Sequence, residues 1–503
     1  MRLDKLAARA GATTVTLPHT QPQGLFTVNP SFPGVSFELN TFSLYCQTSQ
    51  TDPSANQFSI NLISEVAKRT GGRPIVRVGG ITGDRVKWNS SQTVPVVPAP
   101  STTQTGDLTI GPSFWALTQL LAPAKVRWMP SISYTEHDYT QANEAAKSIL
   151  SGIGTDNLAA IEIGNEPNFY SGGDPPAATA QEFADRFQAI AANITKAAGL
   201  PPSVGFAGPD VGSETNGYIP WDAADIFANT SFDDTNNLAY ATDHWYRCLS
   251  GSCTLPDLLS HASTVADTAK HIKPMNEFFQ SYKGGRVPFY LDEINVQTGG
   301  TSNASFSASF ATALYGTDFM MHLMSLGVAA VNWEQVYGSV QNVWQPSDYG
   351  STPAQTKNTY YAILVAAEFI GTGGRTKVAE LAPGNNDGTT FSSYVAYEHN
   401  IAKRVALCNL NYWDLSVGTT RPEPVVTLDG LSPSVKTVTV KYLTNPGGAG
   451  QNSTDTTFGG SQWTFASQGT EVKNVAATTI KVPVKGGSAL IPVPYSSVAI
   501  VYL

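Results

Sequence analysis

Between about residue 33 and residue 372, short apolar runs alternate with longer segments in which apolar residues recur every three or four positions. Short apolar runs are typical of buried strands, and the three-to-four spacing is typical of helices with one buried face. The predicted strands are residues 34–40, 74–80, 125–134, 158–166, 203–209, 240–246, 287–295 and 329–335. The predicted helices are residues 60–69, 138–150, 181–197, 262–282 and 305–326.

This alternation of strand and helix, repeated eight times, predicts a TIM barrel, in which each of eight parallel strands is followed by a helix. The alternative α/β arrangement is a doubly wound open sheet, which carries a glycine-rich phosphate turn after an early strand. The sequence contains no G-x-G-x-x-G segment. The (β/α)8 barrel is therefore the predicted α/β fold.

From about residue 376 the helical spacing stops, and alternating β-branched runs separated by Gly, Pro and Asn turns take over. Short strands with regular turns predict an antiparallel β-sandwich. Its predicted strands are residues 391–397, 402–409, 425–428, 435–443, 478–484 and 496–503. Residues 13–17 also have a strand pattern, so we predict a barrel domain at 29–375 and a sandwich domain made of 13–28 plus 376–503.

The composition limits which classes of partner the protein is expected to bind. A net charge of −9 argues against nucleic acid, which requires a basic face. No run of 18 apolar residues predicts a membrane helix. The low share of charged residues, 14%, is typical of a loop-rich secreted enzyme. Residues 1–5 start with a positive charge but lack the apolar region of a signal peptide, so we expect an extracellular protein whose signal is not in this chain.

Cys248 and Cys253 bracket a four-residue segment, and we predict that they form a disulfide, with two reduced thiols as the alternative. Whether Cys46 and Cys408 meet stays open. Glycosylation is permitted by N-x-Ser/Thr sequons at Asn89, Asn193, Asn229, Asn303 and Asn452. No Cys or His cluster has metal-ligand spacing, so neither a metal nor a cofactor is expected.

Two glutamates occupy the positions where a TIM barrel carries its chemistry, the C-terminal ends of strands. Glu166 lies in Asn165-Glu166-Pro167 after the fourth predicted strand, and Glu293 lies near the end of the seventh. Hydrolysis of a glycosidic bond uses a pair of carboxyl groups, one as proton donor and one as nucleophile or base. We therefore predict a glycoside hydrolase with Glu166 as general acid/base and Glu293 as nucleophile.

Other acids near these positions are weaker candidates. Strand alternation predicts that only one of Asp292 and Glu293 faces the barrel mouth. Glu162 lies deeper on the same strand face as Glu166, which predicts a structural role. Glu334, at the end of the eighth predicted strand, either lines the site or packs in the core.

Several motifs resemble glycoside hydrolase family 79, the family of β-glucuronidases and heparanase, and within it the fungal β-glucuronidases. They are Pro74-Ile75-Val76-Arg77-Val78-Gly79-Gly80-Ile81-Thr82-Gly83-Asp84, Glu162-Ile163-Gly164-Asn165-Glu166-Pro167-Asn168, His244-Trp245-Tyr246, and Glu293 followed by Gly299-Gly300. The barrel with a C-terminal sandwich and an N-terminal strand also matches this family's architecture.

The resemblance implies roles for individual residues. Asp84 would hydrogen-bond the sugar at the −1 subsite, and Asn165 would hold its 2-hydroxyl group. Tyr246 would orient the nucleophile, and the backbone N–H groups of Gly299 and Gly300 would hold the uronate carboxylate. Where the family has carboxylate-binding tyrosines, this chain has Thr298 and the loop that starts at Tyr337; Gln341, Thr298 or Tyr337 are the candidates to replace them.

Aromatic and loop residues complete the expected site. His244, Trp245 and Trp333 fall near strand ends and are predicted to contact the sugar, since pyranoses stack on aromatic faces. The long segment 82–112 is predicted to form a wall that favours exo cleavage, and its only cations, Arg85 and Lys87, argue against a sulfated polysaccharide.

Taken together, the sequence predicts a secreted, retaining exo-β-glycosidase that removes terminal glucuronic acid, with or without a 4-O-methyl group. Its expected partner is a carbohydrate or glycoside substrate, not nucleic acid or a membrane. The alternatives are a β-glucosidase or β-xylosidase on the same scaffold and a carbohydrate-binding protein without catalytic activity.

Overall fold

The computed structural model describes residues 13–49, 51–100, 108–134, 139–169, 179–212, 221–248, 253–297, 304–382, 384 and 388–503. Eight parallel strands close into a barrel in sequence order, with the last strand pairing with the first. They are Pro33–Glu38, Ile75–Gly79, Arg127–Ile132, Ile161–Ile163, Phe206–Val211, Leu238–Cys248, Phe289–Gln297 and Ala330–Gln335. We refer to them as the first to eighth barrel strands.

Helices surround the barrel. They are Phe42–Cys46, Gln57–Thr70, Ser113–Ala116, Tyr139–Ile153, Ala180–Ala198, Ala223–Asn229, Leu255–Leu258, His261–Lys270, Ile272–Ser281, Ala304–Ser307, Phe310–Leu326 and Asn358–Ile370. Short 3-10 segments are Leu39–Thr41, Leu117–Ala124, Thr155–Asn157, Pro167–Phe169, Tyr282–Gly284 and Ser453–Asp455. No helix in the described ranges is long and apolar enough to cross a membrane.

Local sequence signals begin and end the longer helices. The Asn56 side chain accepts the N–H of Ser59 at the start of Gln57–Thr70, which satisfies a donor that the helix itself leaves unpaired. One prediction was wrong: residues 262–282 form two helices, because Pro274 cannot donate to Lys270 and its ring clashes with that carbonyl group. The predicted helix 305–326 is likewise divided, between Ala304–Ser307 and Phe310–Leu326.

The C-terminal strands form a ten-stranded antiparallel arrangement that folds into two layers. Its strands are Thr14–Thr16, Lys377–Glu380, Phe391–Glu398, Ile401–Asn409, Val425–Asp429, Thr437–Thr444, Thr457–Phe458, Thr479–Lys485, Ser488–Pro492 and Ser497–Tyr502. Thr14–Thr16 pairs in parallel with Val425–Asp429. The predicted fold class, a (β/α)8 barrel with a C-terminal β-sandwich, is confirmed; the division at residues 375 and 376 stays a prediction.

Small sheets lie outside these two units. Within the segment 82–112, the strands Val86–Trp88, Val96–Val97 and Leu108–Ile110 form a three-stranded sheet. Two further pairs are Trp344–Gln345 with Gln355–Thr356, and Gln462–Trp463 with Glu471–Val472. The long loop after the second barrel strand is therefore partly ordered by its own sheet.

One layer of the sandwich is buried on both faces. Along Ile401–Asn409, Val405 and Leu407 face the second sandwich layer, whereas Ala406 and Cys408 belong to the core of the barrel and its helices. The helix Phe310–Leu326 lies between barrel and sandwich and is buried on nearly all sides. The hydrophobic core of the barrel therefore continues into the sandwich.

Polar residues also cross this boundary in a group that we call the interdomain histidine cluster. His261 contacts Asp318 at 2.9 Å and Glu380 at 3.0 Å, and His322 contacts Glu380 at 2.7 Å. The Tyr394 hydroxyl donates to the Asp318 carboxylate at 2.7 Å. The cluster joins two barrel helices to two sandwich strands, and all of its members except Glu380 are buried.

The cysteines divide into a pair and two single thiols. Cys248 and Cys253 form a disulfide, which confirms the prediction for that pair. Cys46 and Cys408 are free and buried, so they do not meet.

Candidate active site

The site begins with Arg77, a fully buried arginine on the second barrel strand. Its guanidinium donates to Glu162 twice, at 2.6 and 2.9 Å, to Glu293 at 2.6 Å, to Asn165 at 2.8 Å and to Ser36 at 3.1 Å. An arginine side chain has five N–H donors, so these five bonds use all of them. Arg77 therefore fixes residues from the first, second, fourth and seventh strands in one arrangement.

Glu293 lies at the centre of this arrangement. Besides the bond from Arg77, its carboxylate accepts the Tyr246 hydroxyl at 2.5 Å, and His244 Nδ1 lies 3.8 Å away. Burial opposes ionisation of Glu293, but the charges of His244 and Arg77 and the bond from Tyr246 hold the pKa of Glu293 below its ordinary value. Glu293 is therefore an ionised carboxylate, the state that a nucleophile requires.

Glu166 follows the fourth strand in a tight turn. Gly164 and Glu166 have positive φ angles of 89° and 49°, a conformation that glycine adopts readily and that is uncommon for other residues. The backbone N–H of Glu166 donates to the Asp210 carbonyl group at 2.9 Å, which stabilises the turn. The Glu166 side chain remains 22% exposed, so it is the more accessible of the two glutamates.

His244 lies between the two glutamates. Its Nδ1 is 3.0 Å from Glu166 Oε1, and Asp292 lies 3.7 Å from its Nε2. Burial disfavours the charged imidazole ring, but the charge of Glu293 and the bond to Glu166 raise the pKa of His244 to about 10. His244 is therefore an imidazolium at neutral pH.

The same residues could be considered as metal ligands. Glu166, His244 and Glu293 offer one ligand atom each within 4.8 Å of one another, and Asp210, His244 and Asp292 form a second such group. A histidine binds a metal ion only in its neutral form, because the metal takes the lone pair of a ring nitrogen. The raised pKa of His244 therefore favours ion pairs over metal binding in both groups.

Asp84 ties the neighbouring loops together. Its carboxylate accepts the backbone N–H of Asn165 at 3.1 Å and that of Tyr134 at 3.4 Å. Asp84, Asn165, Glu166, His244, Tyr246 and Glu293 are thus all brought to one end of the barrel. Their roles toward a substrate stay predictions.

Two aromatic predictions were wrong. Trp245 stands between His244 and Tyr246 and so points to the opposite face of the strand, where its ring lies 5.7 Å from that of His271. Trp333 is fully buried, and its indole N–H faces Met320 Sδ at 3.5 Å on the helix Phe310–Leu326. Both tryptophans pack between the barrel and its helices, away from the sugar site.

Asp292 and Glu293 both contact Arg77, although Asp292 is fully buried; that only Glu293 faces the barrel mouth stays a prediction. The register between the sixth and seventh strands shifts at Asp243 and His244, so that strict alternation is interrupted. Asp292 Oδ2 lies 3.7 Å from Arg77 Nε, so Asp292 shares the cation that Glu293 contacts. Burial raises the pKa of Asp292 to about 7.

The predicted carboxylate-binding residues divide into two groups. Thr298, Gly299 and Gly300 lie outside the described residues. Gln341 donates to the Gln297 carbonyl group at 2.8 Å, and the Tyr337 hydroxyl contacts Ser347 at 2.9 Å. One N–H of Gln341 and the hydroxyl group of Tyr337 therefore already have hydrogen-bond partners within the protein.

Sequence reasoning gave no role to Arg77 or Glu38. Glu38, at the end of the first strand, accepts the Thr82 hydroxyl at 2.5 Å and the Thr82 backbone N–H at 3.2 Å. Burial raises the pKa of Glu38 to about 7. The signal that could have found Arg77 is a lone cation inside the apolar run Ile75-Val76-Arg77-Val78, since a buried charge is rare without partners.

The chain is similar to several known glycoside hydrolases. Residues 393–500 match the glycosyl hydrolase family 79 C-terminal beta domain. A beta-glucuronidase of Aspergillus niger is 26% identical over 412 residues, which cover 75% of this chain and 71% of that protein. A beta-glucuronidase of Neurospora crassa is 24% identical over 482 residues, 87% of this chain and 82% of that protein. The resemblance to glycoside hydrolase family 79 is confirmed. The prediction of a glycoside hydrolase is confirmed with it.

Solved structures extend the comparison at the level of the fold. A 4-O-alpha-L-rhamnosyl-beta-D-glucuronidase from Fusarium oxysporum superposes with a TM-score of 0.80 at 22% identity, covering 97% of this chain and 100% of that chain. A family 51 alpha-L-arabinofuranosidase from Bifidobacterium longum reaches 0.63 at 13% identity, covering 98% and 99%. At these identities the likeness shows a shared fold of barrel and β domain.

Proposed function

We propose that this protein is a retaining exo-β-glucuronidase that removes terminal glucuronic acid, with or without a 4-O-methyl group, from a glycoside. The observation that carries the mechanism is the proximity of its two glutamates: a carboxylate oxygen of Glu166 and one of Glu293 lie within 4.8 Å of each other. Retaining enzymes hold their carboxyl groups about 5–5.5 Å apart, whereas inverting enzymes need about 6.5–9.5 Å to admit a water molecule. The glucuronide specificity is supported by the two curated relatives named above.

In this mechanism Glu293 attacks the anomeric carbon while Glu166 protonates the departing glycosidic oxygen. Glu293 becomes an ester of the sugar, and Glu166 then takes a proton from the water that hydrolyses this ester. Arg77 and Tyr246 hold Glu293 ionised and oriented before attack. Asn165, fixed by Arg77 and Asp84, holds the 2-hydroxyl group of the sugar.

The test combines substrates and variants. Turnover of the p-nitrophenyl β-D-glucuronide, glucoside, galactoside and xyloside is measured for wild type, Glu166→Gln and Glu293→Gln. Glu144→Gln is the control, because the Glu144 side chain is half-buried on an outer helix and pairs with Lys147. We expect the glucuronide to be the best substrate, Glu293→Gln to be reduced to background, and azide to restore turnover of Glu166→Gln as a β-glycosyl azide. Proton NMR of the first product should show the β-anomer.

If the wild type prefers a neutral glycoside, the proposed β-glucuronidase activity is wrong, and the same glutamate pair serves a β-glucosidase or β-xylosidase. Wild-type turnover in both glutamate variants would overturn the enzymatic role of the pair and favour a carbohydrate-binding protein. An α-anomer as first product would overturn retention.

Secretion and glycosylation belong to the same proposal. The Cys248–Cys253 disulfide supports an oxidising compartment, where such bonds persist. Sequon residues Asn89, Asn229 and Asn452 are exposed, as attachment of a glycan requires. Mass spectrometry of the protein from its native source would detect glycans at these positions, and recovery of the chain only from cell interiors without glycans would contradict this part.

A further inference from the structure

Glu334 is a buried acid that the mechanism above does not use. It lies near the end of the eighth barrel strand, in register with Ser36 of the first strand, and only 3% of its surface is exposed. Because Trp333 points outward to the helices, its neighbour Glu334 points into the barrel. The side chain is therefore on the same side of the sheet as Arg77 and Glu293.

Neither carboxyl oxygen of Glu334 has a hydrogen-bond partner of good geometry among the described residues, although the Ser36 side chain lies near enough to lower the pKa of Glu334 slightly. Arg77 cannot supply one, since its five N–H groups are engaged elsewhere. Tyr246 donates its hydroxyl hydrogen to Glu293. Buried polar atoms are rarely left without partners, and exceptions are common at sites that wait for a ligand.

The charges that face Glu334 determine its protonation state. Burial, the Glu293 carboxylate on the seventh strand and Glu38 on the first strand raise the pKa of Glu334 well above its ordinary value, while Ser36 and the Arg77 charge oppose this only in part. The phenol groups of Tyr45 and Tyr246, which also face it, are themselves held neutral by burial. Glu334 is therefore a neutral carboxylic acid, which carries one O–H donor, at the pH where its neighbour Glu293 is ionised.

The position of Glu334 indicates which part of the sugar it meets. Asn165 follows the fourth strand and Glu334 lies on the eighth, which stand opposite each other across the eight-stranded barrel, and Glu293 lies on the seventh strand between them. In a pyranose, C2 and the ring oxygen are the two neighbours of the anomeric carbon. A sugar whose C2 side faces Asn165 consequently turns its C5 substituent toward Glu334.

We propose that the Glu334 carboxylic acid donates a hydrogen bond to the carboxylate on C5 of the bound glucuronic acid and so selects a uronate over a neutral sugar. This inference rests on the proposed function and names a specificity-determining residue for it. A carboxylic acid held neutral next to an apolar or anionic group is a recognised way to supply a donor at neutral pH. Once ionised, Glu334 would repel the uronate instead.

The test compares kcat/KM for p-nitrophenyl β-D-glucuronide between pH 5 and pH 9 in wild type, Glu334→Gln, Glu334→Leu and the control Glu144→Gln. Competitive inhibition by D-glucuronate and by D-glucose is measured in parallel, on whichever p-nitrophenyl glycoside the wild type hydrolyses. Thermal unfolding by circular dichroism establishes that each variant is folded. Glu334→Gln keeps an N–H donor and the shape of the side chain but cannot ionise.

We expect Glu334→Leu to weaken the binding of glucuronate relative to that of glucose by about 10–100-fold, the range for loss of a hydrogen bond to a charged group. For the p-nitrophenyl glucuronide the loss should appear mainly as a higher KM. In wild type, glucuronate affinity should fall as pH rises through the raised pKa of Glu334, and in Glu334→Gln this fall should be absent. Equal glucuronate-to-glucose ratios in wild type and Glu334→Leu would overturn the proposal for Glu334 alone. A wild type that hydrolyses only neutral glycosides, and binds glucuronate no better than glucose, would overturn the proposed function and this inference together.

Discussion

Replacement of His261 by Gln should change how the stability of the protein depends on pH. Burial disfavours the charged form of His261, but the charge of Asp318 and hydrogen bonds to Asp318 and Glu380 raise the pKa of His261 from 6.5 to about 10. A group whose pKa is higher in the folded state stabilises fully below its unfolded pKa and loses this effect as pH rises to its folded pKa. The relevant window is therefore pH 6.5 to 10.

The magnitude follows from the same pKa values. Each pKa unit corresponds to about 1.4 kcal/mol, so the rise from 6.5 to about 10 contributes about 5 kcal/mol to the free energy of unfolding at pH 6. The His261 side chain is only 7% exposed, so water screens the interaction little. Three neighbours titrate outside this window: hydrogen bonds from His261 and His322 hold the pKa of Glu380 at about 2, and burial raises the pKa values of Tyr394 and Cys408 well above their ordinary ranges.

Urea denaturation followed by tryptophan fluorescence, at pH 6 and at pH 9.5, measures the effect. We expect His261→Gln to be less stable than the wild type at pH 6. Between pH 6 and pH 9.5 the wild type should lose about 4 kcal/mol more than His261→Gln, because His244, whose pKa is also raised to about 10, contributes equally to both proteins. His399→Gln is the matched control, since His399 is exposed in the turn between two sandwich strands. Parallel pH dependence of wild type and His261→Gln would refute the argument.

Three further substitutions test the active site. Tyr246→Phe should lower kcat/KM by roughly 10–100-fold and move the acidic limb of its pH profile to higher pH. The hydrogen bond from Tyr246 holds the pKa of Glu293 down, so its loss should raise that pKa. An unchanged profile would contradict this. Arg77→Met should abolish turnover and lower the free energy of unfolding by about 3–5 kcal/mol, measured by urea denaturation, since two buried carboxylates lose their cation. Gly80→Ala should lower the melting temperature, because φ is 73° and a Cβ atom would lie 2.7 Å from the Glu38 carboxyl group; a melting temperature equal to that of wild type would count against it.

The barrel was predictable because each barrel strand and most of the long helices carry a strong local signal. The helix Asn358–Ile370 was missed, since it is apolar and buried on nearly all sides and so has no one-sided pattern. The buried strand Ile75–Gly79 is apolar except for Arg77, and Gln57–Thr70 places its apolar residues on one face. The strand Lys377–Glu380 was missed, since its only strongly apolar residue is Val378 and its burial depends on the neighbouring strand Phe391–Glu398. The spacing of apolar residues predicts the burial of a segment only where the segment is long enough for that spacing to recur.

The site was predictable only in part. Glu166 and Glu293 follow from strand ends and motif, but the contact of Asp292 with Arg77 depends on a register shift that leaves no trace in the residue pattern. The tryptophan error had a different origin: His244 and Tyr246 share one face of the sixth strand, so alternation alone would have placed Trp245 on the other. The protonation states of the site residues could not be predicted from the sequence, because they depend on which charges the barrel brings together.

The doubly buried sandwich layer has a practical consequence for anyone who wishes to shorten this enzyme. Val498 and Ile500, almost the last residues of the chain, are part of the same core as the barrel helices, while Ala499 and Val501 fill the second layer. A barrel cut off after residue 375 would expose an apolar face of the helix Phe310–Leu326 to water and would be prone to aggregate. The smallest unit able to present Glu166 and Glu293 in working order therefore extends to the C-terminal strand, and fusion partners are better attached beyond it than substituted for it.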